Sequence, residues 1–190
     1  MSEVSVTESL EGLQSRLGAS DEDAFEALFD RFGTPIFRFI SGMVGDTPLA
    51  HDLTQETFAQ LWEGRDRVND VDSLQAYIFR IARNRVYDHR RAERRRRSRR
   101  AERSKELSAG PPERPDGEVR ARALHAKFRE WIEDLPERQR EALLLSREQG
   151  MSHEEIAQVM DISPNTVNNH IVKAMATLRD RVDQYRPDLL

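Results

Sequence analysis

Apolar side chains return at steps of three and four residues through most of this chain, and no segment alternates apolar with polar. A period near 3.6 puts such residues on one face of an α-helix, whereas a half-buried strand needs a period of two. Phe25, Leu28, Phe29, Phe32, Ile36, Phe37, Ile40 and Val44 form the first stripe. Ser20 is placed to cap that helix, and Asp21, Glu22 and Asp23 suit the positive end of its dipole. Pro35 lies inside the stripe, where its missing N–H can bend the helix. Thr47-Pro48 has the form of a cap followed by proline at the first helical position, starting a second helix over 48–63. A charged loop, 64–72, follows. Ser73 opens a third helix with Leu74, Tyr77, Ile78, Ile81 and Ala82 on one side. Ser108–Gly117 holds three prolines and two glycines and cannot be the interior of a helix or strand. Beyond it Leu124, Phe128, Trp131, Ile132 and Leu135 resume the helical period. A helix from Pro136 to Gln149 and elements over 152–160 and 163–185 complete the chain. The expected fold is all-α: two small helical domains joined by a flexible linker. The expected divisions are a flexible segment over 1–19, a domain over 20–97, a linker over 98–118 and a second domain over 119–186.

Charge is segregated along the 190 residues. The overall net charge of −4 conceals −10 over residues 1–72, +10 over 80–105 and −4 over 106–190. A local basic stripe on an acidic body points to a polyanionic partner. There is no cysteine, which removes disulfides and thiolate metal sites, and the five histidines form no close helical pair, so no metal is expected. No glycine-rich phosphate loop or nucleophile elbow is present. A non-enzyme without cofactor is expected. Met1–Leu10 is acidic and polar, unlike a signal peptide, and no apolar run is long enough for a membrane span, so a cytoplasmic location is expected.

Glu155–Ile171 has the pattern of a helix-turn-helix. Ala157 is small where a second helix crosses. Ile156, Met160, Ile162, Val167 and Ile171 suit the buried corner between the helices. Ser163 can cap the second helix, and Pro164 fits its first turn. Asp161 stands at the turn, where a left-handed backbone is required and aspartate is tolerated. The outer face carries Asn165, Thr166, Asn168, Asn169, His170 and Lys173. Asparagine pairs bidentately with adenine, and lysine meets guanine or phosphate, so this face suits the major groove. A plain helical hairpin with a solvated face is the bland alternative.

Tyr77, Phe79, Arg80, Arg83, Asn84, Arg85, Tyr87, Asp88, Arg90 and Arg91 share one helix. Arginines with interleaved rings suit opened DNA, because the cations follow phosphates and the rings stack on bases. Arg94–Arg103 reads equally well as a solvated basic patch. Asp52–Trp62 mixes polar residues with large apolar ones. Gln55, Glu56, Phe58 and Trp62 either share a partner-binding face, or Phe58 and Trp62 are core.

With these segments placed, residues 20–186 resemble the sigma factors of the extracytoplasmic-function (ECF) type. Ala24–Phe32 resembles the opening helix of their promoter-melting domain, and Asp52–Trp62 their polymerase-docking helix. Tyr77–Asn84, with Asp88 and Arg91, resembles their minus-ten helix. Asp134–Glu141 with the helix-turn-helix resembles their minus-thirty-five domain. The resemblance implies that Asp52, Gln55, Glu56, Phe58 and Trp62 hold core RNA polymerase. It implies that Asn69, Asp72 and Ser73 capture an unstacked minus-ten base, beside Tyr77, Arg80, Arg83, Asn84, Tyr87, Asp88 and Arg91 on minus-ten DNA. Ser163, Asn165, Thr166, Asn168, Asn169, His170 and Lys173 are implied to meet minus-thirty-five DNA. It further implies promoter DNA as ligand and silencing by an anti-sigma partner, often membrane-anchored. Asn168-Asn169-His170 is less basic than the lysine-serine-arginine run common in that family, and resembles its iron-uptake and polysaccharide-utilisation branches. The competing reading is a helix-turn-helix activator of the response-regulator type, which would need an α/β receiver ahead of the motif.

Overall fold

The computed structural model describes residues 8–103 and 121–185, with side chains at 8–98, 127–147 and 150–185. All regular structure among them is helical. The order is α1 (Leu10–Gly18), α2 (Glu22–Val44), α3 (Thr47–Glu63), a 3₁₀ turn (Arg65–Asp70), α4 (Leu74–Arg103), α5 (Ala121–Glu133), α6 (Glu137–Gln149), α7 (His153–Met160) and α8 (Pro164–Tyr185). The expected linker 98–118 begins inside α4, and residues 104–118 lie outside the described set.

The amphipathic stripes become the core largely as the periodicity predicts. On α2 the buried line is Ala24, Leu28, Phe32, Ile36 and Ile40, with Phe39 and Met43 beside it. The helix continues through Pro35. Phe29 falls off this line and stays 45% exposed. Leu53, Phe58 and Leu61 of α3 and Leu74, Ile78, Phe79, Ile81, Ala82 and Val86 of α4 close the same core. Two caps differ by one residue from expectation. Asp21, not Ser20, caps α2 by accepting from the amides of Asp23 and Ala24 at 3.0 and 3.2 Å. Asp46, not Thr47, caps α3 by accepting from Leu49 at 2.8 Å. A carboxylate reaches these amides and also favours the helix dipole.

The stretch 1–19, expected to be flexible, contains α1. Leu13 and Leu17 of this helix are buried, Ser9 caps it, and Gln14 and Arg16 tie it to later residues. The nine-residue helix carries only Leu10, Leu13 and Leu17 on its apolar face, a short stripe beside the long ones that follow.

The C-terminal helices also depart from a picture of separate bodies. They pack directly on the N-terminal ones: α6 on α2, and α7 on α4. The main core runs through both sets and includes Leu144, Leu145, Ile156, Val159 and Met160. Gly42 of α2 makes the first crossing possible, because a Cβ there would lie 2.9 Å from Leu144 Cδ1. A second, smaller cluster of Trp131, Leu135, Leu143, Ala174 and Leu178 holds α5, α6 and α8 together.

Candidate nucleic-acid interface

The helix-turn-helix is built as its residues dictate. Ser152 and Glu155 form a reciprocal capping box at the start of α7. Asp161 takes the left-handed conformation at the turn, with φ of 56°. Ser163 then caps α8 by accepting from the Thr166 amide at 3.2 Å. Ile156, Ala157, Met160 and Val167 are buried at the corner, and Ile162 and Ile171 are partly buried against it. The outer face presents Asn165, Asn168, Asn169 and Lys173 to solvent, with His170 half-buried. Thr166 is half-buried, and its hydroxyl is 2.8 Å from that of Ser163, so both take part in the cap. This leaves three asparagine carboxamides and one ammonium as the groups free to meet base edges on a helix with its amino end forward.

On α4 the expected set divides. Arg80, Asn84, Asp88 and Arg91 are exposed, and Tyr77 is half-buried with Arg80 over its ring at 5.4 Å. Phe79 is fully buried and belongs to the core, not to a stacking platform. Arg83 and Tyr87 are partly covered by α6. Their partner is Glu141, a carboxylate with no exposed surface. Arg83 Nε donates to one Glu141 oxygen. The Tyr87 hydroxyl donates to the other at 2.9 Å, and Arg138 adds a longer contact at 3.4 Å. The Arg83 guanidinium lies 4.7 Å from the Tyr87 ring. Burial, and next the neighbouring carboxylate, push the Tyr87 phenol above its ordinary pKa and keep it a donor. Arg90 pairs with Glu137 and donates to the Met43 carbonyl. Burial, then the nearby Arg140, lowers the pKa of its guanidinium. A buried carboxylate needs this many donors, since each unpaired charge away from water is costly.

The loop before α4 lies beside the same interface. Asn69 and Asp72 are exposed. Ser73 caps α4 by accepting from the Ala76 amide at 3.2 Å, and its hydroxyl donates to Glu155 at 3.2 Å. Asp72, Ser73, Tyr77 and Arg80 line a cleft of about 360 Å³ whose far wall is Gln158 and Asp161. The structure thus gathers four of the ten expected minus-ten residues in one cleft at the start of α4, with the helix-turn-helix against them, and carries Arg83, Asn84, Tyr87, Asp88 and Arg91 further along the helix.

On α3, Asp52, Gln55 and Glu56 point to solvent together. Phe58 is 2% exposed and is core, so it cannot itself face a partner. Trp62 is half-buried edge-on against Phe25, with the Arg65 guanidinium 4.4 Å above its ring. The apolar group missed in the sequence is Phe29, which packs edge-on to Phe58 at 4.8 Å and is open to solvent beside the acidic α3 face. Its place at a regular helical step makes it look like core. Among the described residues no helix is long and apolar enough to cross a membrane, and no cluster of three or more metal-ligating side chains occurs.

A capped helix-turn-helix with an exposed polar face, packed against a helix with exposed arginines, has the form of a nucleic-acid-binding protein. Residues 28–96 match the model for Sigma-70 region 2, and residues 125–178 match that for Sigma-70, region 4. The chain is 32% identical over 163 residues to RNA polymerase sigma factor CarQ of Myxococcus xanthus, covering 84% of this chain and 89% of CarQ. It is 26% identical over 166 residues to ECF RNA polymerase sigma factor SigL of Mycobacterium tuberculosis, covering 87% and 92%. Its fold resembles that of sigma factor RpoE from Bartonella quintana, solved with the anti-sigma factor NepR. There the TM-score is 0.66 at 22% identity, covering 84% of this chain and 96% of that one. The chain belongs to the ECF-type RNA polymerase sigma factors. It directs promoter-specific transcription initiation, and where an activator would carry an α/β receiver it carries Sigma-70 region 2.

Proposed function

We propose a division of labour in which three surfaces of this chain perform that initiation. Asp52, Gln55 and Glu56 on α3, with the half-buried Trp62 and the exposed Phe29 as apolar contacts, hold core polymerase. Asn69, Asp72 and Ser73, with Tyr77, Arg80, Asn84, Asp88 and Arg91, take the minus-ten element. Arg83 and Tyr87 join them once released from Glu141. Asn165, Asn168, Asn169 and Lys173 read the minus-thirty-five element, His170 lies at their edge, and Ser163 and Thr166 with the Asn165 amide meet phosphate. The domain divisions follow this scheme, with the first DNA-binding body ending in α4 and the second spanning residues 119–186. The chain acts without catalysis of its own, in the cytoplasm. An anti-sigma protein is its silencing partner, a proposal that the RpoE–NepR complex supports. A membrane anchor on that partner is proposed on family grounds alone.

The observation that carries the reading is a capped recognition helix with four free polar groups on the chain that also bears an exposed Arg80-Asn84-Asp88-Arg91 row. The test is transcription by core polymerase on a genomic library with and without the chain, mapping RNA 5′ ends. Defined start sites that appear only with the chain, downstream of a common pair of elements, are expected. Failure of the chain to co-elute with core polymerase would overturn the reading.

A further inference from the structure

The loop proposed to capture a minus-ten base closes with a single longer bond of its own, from the Val71 amide to Val68 O at 3.3 Å, and is fixed further from outside. Its carbonyls at Val68 and Val71 are both occupied by one side chain, the Gln14 carboxamide of α1. Gln14 Nε2 donates to Val68 O at 2.6 Å and to Val71 O at 3.0 Å, across more than fifty residues of sequence. A primary amide has two N–H donors, and both are used here to fix the ends of one turn. The Val68 side chain is fully buried beneath this turn. A second contact comes from the end of the same helix. Gly18 lies so close to the Asn69 side chain that a Cβ at Gly18 would sit 2.3 Å from Asn69 Nδ2 and 2.8 Å from its Cγ. Helix α1 is itself anchored by buried Leu13 and Leu17 and by the Arg16–Asp21 pair, so it is a firm backing and not a passenger.

We propose that α1 sets the position of this loop, with Gln14 and Gly18 as positioning residues for minus-ten base selection. The proposal rests on the loop's assigned role. Gln14 fixes the backbone of the turn. Gly18 leaves the space in which the exposed Asn69 carboxamide lies, and so sets the direction from which Asn69 meets a base. Neither residue touches DNA. An alanine at Gly18 forces the short Asn69 side chain to swing aside. That movement is cheap in stability because Asn69 is exposed, but it displaces a recognition group. Methionine at Gln14 keeps length and loses both donors.

The experiment uses the full chain with core polymerase on a promoter found by start-site mapping and on variants altered at each minus-ten position. Open-complex formation is the readout for wild type, Gly18→Ala, Gln14→Met, Asn69→Ala and the Gly18→Ala/Asn69→Ala double variant. Both α1 variants are expected to lose about fivefold in discrimination at one minus-ten position, the worth of about one hydrogen bond. Affinity for core polymerase and selection at minus-thirty-five are expected to stay as in wild type. The double variant is expected to discriminate no worse than Asn69→Ala alone, because the effect of Gly18→Ala runs through that side chain. A merely structural role would lower core binding and activity on all promoters alike, and would add to the Asn69→Ala effect. That result overturns the proposal, as does unchanged discrimination in both α1 variants. Wild type that starts no RNA at defined sites instead overturns the functional reading beneath it.

Discussion

At the scale of single residues, exposure decides which side chains can read sequence. Asn168 stands free on the outer face of α8, while Thr166 two positions before it is engaged with the Ser163 cap. Asn168→Ala is expected to cost about 1–3 kcal/mol on a cognate minus-thirty-five duplex and to relax preference at one base pair. Binding titrations on a panel of single-base variants check this, and equal loss on every duplex would assign Asn168 to phosphate. The same criterion separates neighbours on α3. Gln55→Ala is expected to leave stability within about 0.5 kcal/mol and weaken core binding, whereas Phe58→Ala should cost about 3–5 kcal/mol in unfolding free energy. Chemical denaturation alongside core-polymerase pull-down distinguishes the two effects. In the sequence these residues looked alike, since Phe58 and Gln55 lie within one turn and spacing does not say which side of that turn meets α2.

At the scale of elements, what was legible followed from period and punctuation. The stripes on α2 and α4 and the Asp161–Pro164 turn each have a local cause, and each appears where its residues place it. Helix α1 was not legible. Its apolar stripe is only Leu10, Leu13 and Leu17, and the bonds that give it a purpose reach residues far along the chain. Phe79 misled because it sits among arginines, although its own step along α4 carries it into the core. The junction of α1 and α2 should be acid-sensitive. Asp21 has its carboxyl held below the usual range, first by Arg16 and then by the Ala24 amide. A lowered folded-state value means that its contribution is complete above about pH 4, the ordinary carboxyl range, and is lost as pH falls through the lower value. Asp21→Asn keeps a capping oxygen but cannot titrate. The stability gap between wild type and this variant, followed by thermal melts from neutral pH downward, is expected to close as the solution is acidified. A gap independent of pH would mean that the Arg16 pair contributes nothing.

For the whole molecule, the decisive contact is the one between its two halves, which no periodic pattern announces because Arg83 and Glu141 belong to separate helices. Removing one member of a buried ion pair costs about 3–5 kcal/mol when the other stays buried. Here the cost is capped by the free energy of docking, because an opened molecule lets water solvate Arg83. Glu141→Ala is therefore expected to leave helical content intact while enlarging the radius of gyration in small-angle scattering. An unchanged radius would show that Glu141 does not hold the halves together. The Arg83 and Tyr87 groups that pair with Glu141 cannot at the same time lie along a nucleic-acid strand. Two occupants competing for one pair of side chains form a thermodynamic linkage. On the minus-ten roles proposed for Arg83 and Tyr87, whatever binds the shut form more tightly than the parted one weakens promoter engagement by up to the ratio of those two affinities, even from a distant surface, and a polymerase that prefers the parted form strengthens it by the same rule.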